Sequence, residues 1–249
     1  MQISTDGLII MEQNVGENDR LITILTRSDG IIRAFVRGAK NSKSRSLSST
    51  QLLSYSDFVI YKGKNKYIIN EAESKEVFFN LRKDIEKLAL AQYFCELALA
   101  LVPDNGEAGD FLRLILNSLY YTANNKLPNS QIKAIFEMRI MSLAGYMPNL
   151  IYCTKCGIYE TDVMYFLPVS GVLCCSKCYN KNDYGMMLDR STVTALRHIV
   201  FADFNKLFSF KIPQESLRTL SNTTEKYVIN KLERNFKTLD FYHQMQIGI

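Results

Sequence analysis

With 249 residues, 47% of them apolar and 22% charged, the chain is long enough for one large core or for two to three small modules, and its balance is that of a soluble globular protein. No apolar run approaches the roughly 20 residues of a membrane helix, and residues 1–11 carry an acidic group and only a four-residue apolar stretch, so neither a membrane span nor secretion is expected. Thirty Lys and Arg against 25 Asp and Glu leave +5, too mild an excess to identify a polyanion binder unless the charges are clustered.

In chain order, residues 8–11, 21–26, 31–36, 51–61 and 67–72 are short, repeatedly interrupted apolar runs, which predicts five strands. Asp29-Gly30 predicts a tight hairpin turn between the second and third, and Lys62-Gly63-Lys64-Asn65 another between the fourth and fifth. Five short strands in so little chain predict a small barrel, and the OB barrel is the commonest five-stranded type that binds nucleic acid.

After Asn80 the apolar period lengthens to that of a helix. Leu81, Ile85 and Leu88 begin one stripe and Leu90, Phe94, Leu97 and Leu101 continue another, with Glu96 the only charge between Leu88 and Val102, so this helix must be buried nearly all round. Pro103-Asp104-Asn105-Gly106 ends it; a second helix is predicted over 107–123, and a third starts after Pro128-Asn129-Ser130 and stops at Gly145. Three helices with short links predict a bundle. Residues 150–180 contain Gly157, Pro168 and Gly171 but no long periodic run, which reads as an insertion held by something other than a core. Beyond it, Asp189 is placed to cap a helix through Phe201, and 214–236 reads as a last long helix with Leu217, Leu220, Tyr227, Val228 and Leu232 on its buried side, rejoining the bundle. The expected class is α+β and multidomain: an OB-type β-barrel over 1–79, then an α-helical bundle domain over 80–249, interrupted at 150–182 by a four-cysteine zinc knuckle.

Five of the six cysteines, Cys153, Cys156, Cys174, Cys175 and Cys178, fall close together, as in a metal site of a reducing cytoplasm rather than a disulfide framework. Cys153 and Cys156 are followed, after 18 intervening residues, by Cys175 and Cys178, which is the spacing of a four-thiolate zinc site. A redox pair and chance clustering are the alternatives. The two-residue gap repeats in both pairs, which favours Cys175 over Cys174 as third ligand. Gly157 permits the first tight turn, and Lys155 and Lys177 can offset the charge of a tetrathiolate centre. Four protein ligands leave no position for water, so the expected ion is one structural Zn2+, not a catalytic one.

Between Asp29 and Asp57 there is no acidic residue, yet Arg33, Arg37, Lys40, Lys43 and Arg45 lie there. The glycine and serine hydroxyls of residues 37–50 suit phosphate contact. Strand alternation puts Arg33, Phe35 and Arg37 on one face and Ile32, Ala34 and Val36 on the other; with the aliphatic set lining a barrel, Phe35 stands outside, flanked by cations. Single strands use that arrangement, bases stacking on the ring and phosphates pairing with the arginines. The bland reading is a solvated basic edge that prevents strand aggregation. His198 and His243 have no partner at ligand or triad spacing, Cys95 reads as a core thiol, and neither a Walker-type glycine loop nor an acidic set for phosphoryl transfer is seen, so no enzyme activity is expected.

Three stretches together resemble the RecO family: Gly16-Glu17-Asn18-Asp19-Arg20 with Gly30 and Arg37-Gly38-Ala39-Lys40; Phe136-Glu137-Met138-Arg139 with 143–150, Cys153, Cys156 and Gly157; and Lys237-Thr238-Leu239-Asp240-Phe241. The resemblance implies an N-terminal OB fold, a helical domain and a zinc knuckle. It implies binding of single- and double-stranded DNA, annealing of complementary strands, and work with RecR, the C-terminal tail of single-strand-binding protein and, indirectly, RecA, in the bacterial cytoplasm at the nucleoid. It places Arg37 and Lys40 at DNA-contacting positions. The residues themselves leave two rivals, a zinc-stapled protein-interaction adaptor and a metal-dependent nuclease.

Overall fold

The five predicted strands are β1 (Gln2–Val15), β2 (Asp19–Thr26), β3 (Ile31–Val36), β4 (Ser54–Lys62) and β5 (Tyr67–Val77). They close into a barrel of order β1-β2-β3-β5-β4 in the computed structural model, which describes residues 1–39, 48–64 and 66–247. All neighbours are antiparallel except β3 and β5, which run parallel with Phe35 opposite Ile68. Residues alternate along each strand, and the inward set, with Ile9, Ile22, Ile24, Ile32, Phe58 and Ile69 among it, fills the barrel. The β2–β3 turn forms as its sequence predicts: Thr26 donates its amide to the Gly30 carbonyl at 2.8 Å, and Gly30 has φ +63°. A side chain at Gly30 would also meet the Pro103 carbonyl oxygen at 2.2 Å, so glycine is required twice over. β4 begins three residues later than expected because Leu53 takes a left-handed conformation before it, φ 63°.

After a short 3-10 turn come α1 (Ile85–Leu101), α2 (Gly109–Ala123), α3 (Asn129–Leu143), α4 (Arg190–Phe201), α5 (Gln214–Leu232) and α6 (Lys237–Ile247). Asp84 caps α1 by accepting the Lys87 amide, and Asp189 caps α4 by accepting that of Thr192. The last long helix expected over 214–236 ends four residues early, at Leu232, and a further helix that the sequence did not announce, α6, follows it. The break at Glu233, left-handed with φ 47°, has no glycine or proline to announce it. The segment expected to lack a core instead forms a four-stranded sheet: β6 (Asn149–Cys153), β7 (Val163–Leu167), β8 (Val172–Cys175) and β9 (Met186–Asp189), in order β6-β8-β7-β9. Met164, Phe166, Leu173 and Leu188 are buried there; strands of four or five residues are too short to show a period in the sequence.

The chain divides into two compact units, Met1–Asn124 with Phe236–Ile249, and Asn125–Asn235. Residues 80–249 therefore contribute to both. In the first unit α6 returns to pack on α1, with Phe236 edge-on to Tyr93 at 5.7 Å and Glu96 accepting the amide and hydroxyl of Thr238. In the second, α3, α4 and α5 pack against one another, and buried Lys133 pairs with buried Glu137 (3.0 Å) and half-buried Glu225 (2.8 Å). Among the described residues no helix is long and apolar enough to cross a membrane.

Candidate functional site

β3 carries the barrel's basic face. Ile32, Ala34 and Val36 are buried in the barrel, Arg33 and Arg37 are exposed, and Phe35 is half-buried on the outer side. Arg37 sits just past the strand end, where the Gly38 amide donates to Asp19 Oδ1 at 3.0 Å and Gly38 has φ +60°, so the turn out of β3 is tied to the start of β2. Among the described residues neither Arg33 nor Arg37 has a carboxylate partner. Elsewhere on the barrel, by contrast, Arg20 pairs with Glu12 at 3.1 Å, Arg27 with Asp6 at 2.7 Å, and Lys75 with Asp57 at 2.6 Å. Lys40, Lys43 and Arg45 lie outside the described residues.

Sequence reasoning did not include the β4–β5 turn in this face. The parallel β3–β5 pairing sets Tyr67 opposite Ala34 and thereby brings exposed Lys62, Lys64 and Lys66 to the flank of β3. Lys62 Nζ lies 5.6 Å from the centre of the Tyr67 ring. The one available signal was three lysines in five residues at a predicted turn, and turn lysines ordinarily mark nothing more than solvent exposure.

The second site lies wholly in the other unit. The Sγ atoms of Cys153, Cys156, Cys175 and Cys178 all fall within 4.8 Å of one another, with Cys156 and Cys175 3.7 Å apart. A tetrahedron with Zn–S bonds of about 2.3 Å requires sulfur separations of roughly 3.8 Å, so the donor set fits such an ion in size and type. Buried Cys174 is not one of the four. The first turn is closed by the Gly157 amide on the Cys153 carbonyl and the Cys153 amide on the Ile158 carbonyl, both 2.8 Å, with Gly157 at φ +74°. The second is closed by the amides of Cys178 and Tyr179 on the Cys175 carbonyl. Lys155 reaches from the first turn to the Cys178 carbonyl at 3.1 Å.

One buried residue braces the first turn from α4. Arg197 donates Nε to the Leu150 carbonyl at 2.7 Å, and its terminal nitrogens to the carbonyls of Ile151 (2.9 Å) and Tyr159 (2.6 Å) and to Glu160 (3.2 Å). The chain entering and leaving the turn is thus held by one guanidinium, which also lies 4.0 Å from the Tyr159 ring centre. The second turn leans on Tyr165, whose ring stacks on Tyr179 at 3.8 Å.

Crowding the thiols separates their acidities. Burial pushes Cys153 up, but amides of Cys175, Cys156 and Lys155 outweigh it and bring the group down to about 6. Cys178 is pushed up to about 12, chiefly by side-chain hydrogen bonds with Cys156 and Cys175.

Comparison with known proteins covers nearly the whole chain. Residues 1–78 match the family description Recombination protein O N terminal, and residues 82–240 match Recombination protein O C terminal. The DNA repair protein RecO of Acetivibrio thermocellus is 36% identical over 96% of this chain and 95% of its own length. The protein of the same name from Alkaliphilus metalliredigens is 29% identical over 96% and 98%, and that from Dehalococcoides mccartyi 29% over 98% and 96%.

Proposed function

The chain belongs to the RecO family of DNA repair proteins, and from that premise we propose that it binds single- and double-stranded DNA through the barrel and anneals complementary strands. The observation that carries the reading is that Arg33 and Arg37, beside outward-facing Phe35, have no carboxylate partner among the described residues, on a barrel where Arg20, Arg27 and Lys75 each have one. Lys40, Lys43 and Arg45 extend the same stretch by charge. Annealing makes and breaks no covalent bond. A cationic surface screens two phosphate backbones, raises the local concentration of complementary strands, and leaves base pairing to supply the driving force. A mediator of this kind needs no catalytic group.

Around that activity the reading sets RecR and the C-terminal tail of single-strand-binding protein as partners, RecA as an indirect one, and the bacterial cytoplasm as the place of work. The division it assumes is a nucleic-acid-binding part over 1–79 and a helical part over 80–249. Cys153, Cys156, Cys175 and Cys178 hold one structural Zn2+, supported by four mutually close thiols, which fill a tetrahedral set. Bound there, the ion cross-links the two turns.

The test is salt-dependent binding and annealing of labelled complementary oligonucleotides by the protein and by Arg33→Glu, Arg37→Glu. The double variant is expected to anneal more slowly, and its plot of log affinity against log salt to flatten by roughly 0.7 for each phosphate of the single strand that is no longer neutralised. A wild-type protein with no salt-sensitive affinity for oligonucleotides would overturn the reading in favour of a protein-binding adaptor.

A further inference from the structure

Strand register carries the binding face beyond β3. Phe35 of β3 lies opposite Ile68 of β5, and Ile68 lies opposite Tyr61 of β4. All three point outward, because their neighbours Ala34, Ile69 and Ile60 belong to the barrel core. Leu21 of β2 continues the row on the other side of Phe35. The result is an apolar row running across four strands. Tyr61 is its most open member, 47% exposed, while Leu21, Phe35 and Ile68 are half-buried.

The charges around this row are sorted. Arg33 on β3 and Arg37 just past its end flank the row on either side, and Lys62, Lys64 and Lys66 stand at the β4–β5 turn, all exposed. Further along the same outer face of β4 and β5 the sign reverses: Val59 pairs with Glu71 and Asp57 with Glu73, and these three carboxylates are exposed. A polyanion laid on the barrel is therefore attracted to the turn end of β4–β5 and repelled from the opposite end, so the row is where it can lie. A hydrophobic partner would find little area here and a rim of uncompensated cations; a single strand finds rings for its bases and cations for its phosphates.

We propose that Tyr61 is a second base-stacking position, two strands from Phe35, and that a bound single strand crosses the barrel from β3 over Ile68 to Tyr61, with Lys64 and Lys66 of the turn pairing its phosphates. Neighbouring strands are about 4.8 Å apart, so the two rings are separated by roughly 10 Å, wide enough to engage different bases of one strand. The proposal rests on the DNA-binding reading above and adds to it the route and the extent of contact.

The chain contains no tryptophan, which makes a direct test available. In Tyr61→Trp the new indole is the only one, and its emission is expected to be quenched saturably by a short oligodeoxythymidine, at the same concentrations that raise the anisotropy of the labelled oligonucleotide. Tyr61→Ala is expected to bind it roughly ten-fold more weakly, while salt dependence stays as in the wild type because no charge is removed. If the oligonucleotide binds Tyr61→Trp without altering its emission, and Tyr61→Ala binds as tightly as wild type, the route over β5 and β4 is overturned while the β3 face survives. If wild-type protein fails to bind the oligonucleotide at all, it is the underlying DNA-binding reading that falls.

Discussion

The barrel draws Ile9, Ile22, Ile32, Phe58 and Ile69, at least one residue from each strand, into a common core. The sheet β6-β8-β7-β9 has strands of only four or five residues, buries Met164, Phe166, Leu173 and Leu188, and brings four thiols from two of its turns together. A closed barrel leaves no open edge and satisfies its own backbone, so its outer surface is free to carry unpaired cations. A small open sheet lacks that closure, and under the zinc reading its thiols would take the place of a larger core. The difference is one of side-chain chemistry: exposed arginines without a carboxylate partner among the described residues on one unit, four clustered thiols on the other.

Metal removal strains the comparison hardest. In Cys153→Ser, Cys156→Ser the zinc expected at about one per chain should be lost, and amides over 149–189 should lose protection from hydrogen exchange, since binding free energy at such sites is folding free energy. Barrel amides over 2–77 should keep theirs, and oligonucleotide affinity should stay near that of the wild type. Persistent protection over 149–189 in the metal-free variant would mean that Met164, Phe166, Leu173 and Leu188 suffice by themselves.

A smaller change sharpens the barrel side. Phe35→Ala removes a half-buried ring from the outer face without touching a charge or the inward core. Single-strand affinity is expected to fall by about 1–3 kcal/mol, with an unaltered salt slope. A shallower slope instead would show that the ring merely props the arginines.

Much of this was legible in the sequence, for identifiable reasons. Strand alternation around Arg33, Phe35 and Arg37 has a period of two and a polar-apolar contrast strong enough to read, and the cysteine spacing is fixed by what a turn can present to one ion. Asp189 at the start of α4 was readable because capping is local chemistry. What escaped were facts of tertiary pairing. Nothing local in Lys62, Lys64 and Lys66 says that β5 will run parallel to β3 and carry them to its side. The sheet around the cysteines hid because its strands are shorter than the window in which a period shows, and the end of α5 hid because Glu233 adopts a backbone conformation its residue type does not advertise.

Acid titration tests the comparison most gently, and Asp6 in the barrel and Glu137 in the second unit should answer with opposite signs. In the barrel, hydrogen bonds from Arg27, then Tyr55, outweigh burial and lower Asp6 from its ordinary 3.8 to about 2. Between these values the unfolded chain takes up a proton that the folded barrel refuses, so stability rises with pH across the window, is complete above it, and is lost as pH falls through about 2. In the second unit, burial pushes Glu137 above its ordinary 4.5 despite Lys133, which must also serve Glu225. There the folded form holds the extra proton, so stability declines as pH rises from that value toward the raised one. Asp6→Asn should remove the barrel's rise, costing about 1 kcal/mol above the window because half-exposed Arg27 is screened by solvent, and should converge on wild type at the acid end. Urea titrations followed by hydrogen exchange, resolved over 2–77 and 129–232, distinguish the units; a barrel response equal in the wild type and Asp6→Asn would remove Asp6 and Arg27 from the account of why this half stands without a metal.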